Sequence, residues 1–148
     1  TIYHERVPFV KSLMNSVSNR AQQRGQIRTL LGRLCRFHLW EPNQFGIHKA
    51  LPFDQARQEY GPGIKRAYTY KALNKLIQGS AADMTKKSML ELYKEGIVAH
   101  IQVHDELDIS VEDDTKAKRI IEIMESAVEL EIPNKVDYES GKNWGEIK

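Results

Sequence analysis

The sequence predicts an α+β domain, and three observations carry that expectation. Some blocks space their apolar residues at helical intervals, others alternate apolar with polar residues, and glycines and prolines punctuate the boundaries. Helices packed on an antiparallel sheet follow from such a pattern. At 148 residues the chain has the size of one ordinary domain with a modest core.

Residues 5–24 read as a helix, with Val7, Val10, Leu13, Met14 and Val17 at helical spacing, Pro8 in the first turn and Gly25 as a stop. QIRTLLGRLCRFHLW, residues 26–40, reads as a hairpin turning at Leu31 and Gly32, a ribbon made basic by its arginines. Residues 41–62 carry Pro42, Gly46, Pro52, Gly61 and Pro62 and are expected to be irregular, apart from a short helix in PFDQARQEYG. A long helix is predicted from about Gly63 to Lys94, bent or broken around Gly79, with Leu73, Leu76, Ile77, Ala81, Met84, Met89, Leu90 and Leu92 on a broad apolar face.

Beyond Gly96, the residues Ile97, Ala99, Ile101 and Val103 alternate with Val98, His100 and Gln102. Leu107, Ile109 and Val111 continue the same parity after HDE. This predicts a β-hairpin over 97–112 with one buried face. EDDT, with Asp113, Asp114 or Thr115 as cap, then opens a helix over 113–132. Its stripe is Ala117, Ile120, Ile121, Met124, Ala127 and Val128, and Pro133 closes it; a short strand near 135–139 precedes the tail SGKNWGEIK.

The 22 lysines and arginines nearly balance 20 acids, for a net charge of +2, so charge alone names no partner. Its distribution is more informative. Residues 11–38 hold Lys11, Arg20, Arg24, Arg28, Arg33 and Arg36 with no acid, whereas residues 105–114 hold six acids and no base. One region suits phosphates and the other cations. The lone Cys35 excludes an internal disulfide, fits a reducing compartment and reads as a packing residue rather than a nucleophile. No apolar run approaches the roughly 20 residues that cross a bilayer, and no signal-peptide pattern opens the chain. The expectation is a soluble, cytoplasmic protein with no membrane partner.

QVHDEL, residues 102–107, sets His104, Asp105 and Glu106 side by side in a stretch that otherwise builds a sheet. One reading is a polar turn. Zinc is disfavoured, because His100 and His104 on one strand lie about 13 Å apart. A hydrolytic dyad lacks a nucleophile motif. The other reading is a carboxylate at a hairpin tip, suited to Mg²⁺, which takes one or two protein carboxylates and fills its shell with water and phosphate oxygens. NKLIQGSAAD, residues 74–83, is the second unusual stretch. Gly79 and the small residues after it serve either tight packing or the display of Asn74 and Gln78, four apart on one helical face, to a ligand.

QVHDEL and NKLIQGSAAD together resemble family A DNA polymerases: the first resembles the family's third polymerase motif and the second the helix packed beside it. IYHERVPFVKSLM resembles the helix after the nucleotide-binding fingers helix, RGQIRTLLGRLCRF the basic hairpin and SGKNWGEIK the terminal segment, so the likeness covers almost the whole chain. Glu106 favours the DNA enzymes, since related single-subunit RNA polymerases usually carry Ser there. The resemblance implies a palm-like antiparallel sheet with a catalytic hairpin on long helices, plus a fingers-derived helical part. In chain order these are a fingers-associated helix (1–24), the basic hairpin (25–40), the long helix (63–95), the HDE hairpin (97–112), a helix (113–132) and a terminal strand and tail (133–148).

By the same resemblance, Asp105 is the metal-binding carboxylate, Glu106 a secondary acid beside it and His104 a neighbour of the primer terminus. Asn74 and Gln78 touch the primer–template minor groove, Lys71 lies near a position where relatives carry Arg (here Tyr70), and Arg28, Arg33 and Arg36 face backbone phosphates or simply solvent. The implied activity is that of a DNA-directed DNA polymerase using two Mg²⁺ ions, with primer–template DNA and deoxynucleoside triphosphates as partners. The family's first motif, which supplies the other carboxylate, and its Lys-bearing fingers helix are expected upstream of Thr1. The chain is therefore read as a C-terminal part that works with an N-terminal polymerase portion, in the same longer chain or as a separate subunit, and is inactive alone. A Thr start would also suit intein splicing. Two rival readings are a non-catalytic DNA-binding or assembly subunit that keeps the fold, and a nuclease built on the acids of residues 105–114.

Overall fold

The computed structural model describes residues 7–147. Its helices and small antiparallel sheets fall into two compact units, one reaching Ser80 and the other starting at Ala81.

In the first unit, α1 runs Pro8–Arg24, so the predicted helix starts later than expected, and residues 5 and 6 lie outside the described residues. Pro8 occupies the first helical position, where its missing N–H costs nothing. Gly25 ends the helix at φ 69°, donating its N–H to the Ala21 carbonyl, a left-handed stop that suits glycine. β1 (Gln26–Arg28) and β2 (Leu34–Arg36) form the basic hairpin, pairing Gln26 with Arg36 and Arg28 with Leu34. Ile27 and Cys35 oppose each other on the inner face. There they join Val17, Ala21, Phe37, Ala72 and Leu76 in the unit's core.

Residues expected to extend that hairpin, to be irregular or to start the long helix instead build a second sheet. β3 (Leu39–Pro42) is the centre strand, flanked by β4 (Leu51–Pro52) and β5 (Ile64–Arg66). The expected short helix is α2 (Phe53–Tyr60). The long helix accordingly does not begin near Gly63. Residues 64–66 pair with β3, a 3₁₀ turn covers Thr69–Lys71, and α3 runs Ala72–Lys94 without a break at Gly79. The Arg66 guanidinium stacks 4.5 Å from the Trp40 ring and donates to the Phe37 carbonyl, tying β5 to β3 and to the hairpin's exit.

In the second unit, β6 (Ile101–Val103) and β7 (Glu106–Asp108) make a shorter hairpin than residues 97–112 suggested. The pairs are Ile101 with Asp108, Gln102 with Leu107 and Val103 with Glu106. Opposed residues share a face, and a two-residue turn always pairs odd positions with even ones. Ile101 and Val103 therefore cannot share a face with Leu107 and Ile109, which corrects the expected common parity. Leu107 and Ile109 pack on Leu92, Ile97, Ile120 and Ile123, whereas Ile101 and Val103 are 41% and 38% exposed.

Helix α4 (Asp114–Ser126) is capped by Asp113, whose carboxylate accepts the Lys116 N–H at 2.8 Å. It ends earlier than predicted, and its buried stripe is Ala117, Ile120 and Ile123. No strand forms at 135–139. The Val136 N–H is satisfied at 3.1 Å by the Glu125 carboxylate, where a ladder partner was expected. That bond, with Lys135 beside it, holds Glu125 below the ordinary carboxylate range. Among the described residues no helix is long and apolar enough to cross a membrane.

Candidate functional site

His104 and Asp105 are the two central residues of the β6–β7 turn, and both are exposed, as is Glu106. Two-residue hairpin turns favour a positive φ at their first central residue, because that backbone matches strand twist. His104 supplies it at φ 53°, a region histidine enters more readily than most side chains. The turn is braced by Gln102, whose Nε2 donates to the His104 carbonyl at 2.6 Å, and the hairpin base by His100, whose Nε2 lies 3.1 Å from Ser110 Oγ.

Among the described residues, neither Asp105 nor Glu106 makes an ion pair. Their oxygens are thus open to a cation. No group of three or more His, Cys, Asp or Glu side chains converges among the described residues, so Asp105 and Glu106 offer at most one or two oxygen ligands, fewer than zinc sites draw from the protein and a number compatible with Mg²⁺.

Asn74 and Gln78 lie exposed in the first unit on α3, one turn apart. Lys71 stands in the turn just before α3, its Nζ 5.4 Å from the Tyr68 ring and 5.6 Å from the Tyr70 ring. Tyr68 itself holds a left-handed φ of 61°. This cation–aromatic cluster escaped the sequence reading, although three tyrosine and lysine positions within four residues were a visible signal.

The three hairpin arginines differ. Arg28 donates to the Gly32 carbonyl at 2.8 Å and Arg33 to the Gly79 carbonyl at 2.9 Å. Arg36 is exposed on the outer face and has no hydrogen-bond or ion-pair partner among the described residues. The reason for Gly79 emerges here. The hairpin turn docks on α3, with Leu30 N–H bonded to Ser80 Oγ at 3.0 Å, and a Cβ at Gly79 would lie 2.9 Å from the Thr29 methyl and 3.2 Å from Arg33 Nη2. Thr29 is buried, and its Oγ1 accepts the Arg33 N–H at 3.0 Å, which holds the methyl in place.

Gly79→Ala should therefore forgo the gain of about 1 kcal/mol usual for a helix interior and instead destabilise by about 1 kcal/mol net through overpacking. Urea unfolding measures this, and a more stable variant would contradict the docking.

The chain matches the family model described as DNA polymerase family A over residues 1–146. It is 37% identical over 143 residues to a DNA-directed DNA polymerase of Pseudomonas phage M6, covering 97% of this chain and 18% of that protein. Against DNA polymerase I of Bacillus caldotenax the identity is 34% over 155 aligned positions, covering 99% and 16%. Among solved structures, the POL domain of Pol1 from M. smegmatis, in complex with DNA primer-template and dNTP, superimposes with a TM-score of 0.72 at 27% identity, covering 98% of this chain and 24% of that one. The chain thus spans less than a fifth of the length of these two curated relatives.

Proposed function

Since the chain belongs to DNA polymerase family A, we propose that it supplies one metal-binding carboxylate, Asp105, and a set of primer–template contacts to templated DNA synthesis. The observation that carries this reading is the tip of the β6–β7 hairpin, where a braced two-residue turn exposes Asp105 with no cationic partner among the described residues. In the reaction, the primer 3′-hydroxyl oxygen forms a bond to the α-phosphorus of a deoxynucleoside triphosphate as the bond to the β-phosphate oxygen breaks and pyrophosphate leaves. Magnesium, when bound, offsets charge developing on the transferred phosphate. Asp105 and Glu106 would hold it, and His104 stands beside the primer terminus.

Asn74 and Gln78 offer amide donors and acceptors to the minor groove, whose acceptors recur at every base pair. Lys71 and Arg36 add charge toward phosphates, while Arg28 and Arg33 also hold the hairpin in place. The second carboxylate and the grip on the triphosphate come from polymerase elements outside these 148 residues.

Combining the chain with a polymerase segment bearing those elements, a primer–template, deoxynucleotides and Mg²⁺ should yield extension. DNA binding without extension would favour a non-catalytic subunit instead. In the same assay Gln78→Ala should lower kcat/KM by about three- to tenfold, the worth of one neutral hydrogen bond, with unchanged stability because the side chain is exposed. Parent-like kinetics would remove Gln78 from the groove.

A further inference from the structure

The outer side of α1 carries a polar, basic line within the acid-free stretch of residues 11–38, and none of the contacts proposed above falls on it. Ser16, Asn19, Arg20, Gln23 and Arg24 are all exposed and border one shallow depression of about 300 Å³. Arg20 and Arg24 lie one helical turn apart, so their side chains emerge about 6 Å from each other. Neither makes an ion pair or hydrogen bond among the described residues. No acid occurs anywhere in residues 11–38 to offset them. Val17 and Ala21, by contrast, are buried and fix the helix to its core.

Two arginines interleaved with a hydroxyl and two amides form the donor set that proteins direct at phosphate oxygens, where contacts position the nucleic acid without reading its sequence. An anionic membrane fits less well, because Phe9 and Leu13 are the exposed apolar residues along this line and interfacial helices need a continuous apolar face.

We propose that this face of α1 is a phosphodiester-backbone track, through which Arg20 and Arg24 engage consecutive phosphates of the nucleic acid. The inference rests on the DNA-binding reading above and adds to it a surface beyond the basic hairpin.

The test is the salt dependence of DNA affinity for the full 148-residue chain, using a blunt duplex in one arm and a single-stranded oligonucleotide in the other. The double variant Arg20→Gln and Arg24→Gln should reduce the slope of log K against log salt by about 1.8 on duplex, or about 1.4 on single strands, whichever the track holds. Near 0.1 M salt this is a loss of about 25- to 60-fold in affinity. The paired Lys variants keep the charge and should keep the slope. Glutamine and lysine are both good helix formers, so the variants should keep the parent's helical circular dichroism signal.

An unchanged slope in the glutamine variant, with the parent chain binding DNA normally, overturns the track alone. A parent chain that binds neither probe overturns the DNA-binding reading and the track with it. Equal losses for the glutamine and lysine pairs, or arginine-dependent binding to anionic vesicles that exceeds binding to DNA, also overturn the track.

Discussion

Asp105→Ala should abolish templated extension in the reconstituted assay, lowering it by at least about 10³-fold, or roughly 4 kcal/mol of transition-state stabilisation. On the proposed reading, losing this metal ligand removes charge compensation at the reacting phosphate; Glu106 remains only as the secondary acid at the start of β7, and the nearest other acid of the hairpin, Asp108, lies at the far end of that strand. Folding should be spared. The Asp105 side chain is exposed and makes no hydrogen bond or ion pair among the described residues, and surface changes away from such features usually stay within about 0.5 kcal/mol. The decisive pair of measurements is single-turnover extension at saturating DNA together with DNA affinity. A variant extending within tenfold of the parent would dismiss Asp105 as a metal ligand, whereas lost extension with lost DNA binding would point to a positioning role.

The largest effect on stability is expected at Leu92. This side chain is 1% exposed and sits among Ile97, Ile120 and Ile123, with Leu107 and Ile109 of the hairpin packed on the same cluster. Leu92→Ala removes three heavy atoms from a site that α3, α4 and the hairpin base enclose together, so it should cost about 3 kcal/mol, against total stabilities of about 5–15 kcal/mol for a domain. Leu92→Met conserves volume and should cost less than about 1.5 kcal/mol. Because the hairpin base rests on this cluster, extension by the Ala variant should fall more steeply with temperature than extension by the Met variant. Equal unfolding midpoints for the two would show that Leu92 is not central to this core.

The placement of the candidate residues was legible because their signals are local. HDE between alternating stretches marked the hairpin tip, and the four-residue spacing of Asn74 and Gln78 placed both on one helical face. What failed was whatever depends on pairing at a distance. Alternation along residues 97–112 marked a hairpin but overran its strands, which cover only 101–103 and 106–108, and it cannot report how many residues the turn consumes, a number that decides which faces coincide. Residues 64–66 look helical in isolation but are claimed by β3, through Trp40 with Arg66 and Glu41 with Lys65. Val136 has strand-like neighbours, but its N–H finds the Glu125 carboxylate first. Gly79 was read as a bend in a helix, there for tight packing or for ligand display. Its use is visible only once Thr29 and Arg33, some 46 to 50 residues earlier in sequence, are set against it.

The pairing arithmetic of the β6–β7 hairpin restricts how this protein can vary. Substitutions at the tip alter chemistry one side chain at a time, but adding or deleting a single residue there would invert the orientation of every later position in β7 and lift Leu107 off its oily seat while rotating the carboxylates away. Loop length is therefore under tighter physical constraint than loop composition, and descendants of this sequence should tolerate exchange of residues at the bend long before they tolerate an insertion or a gap.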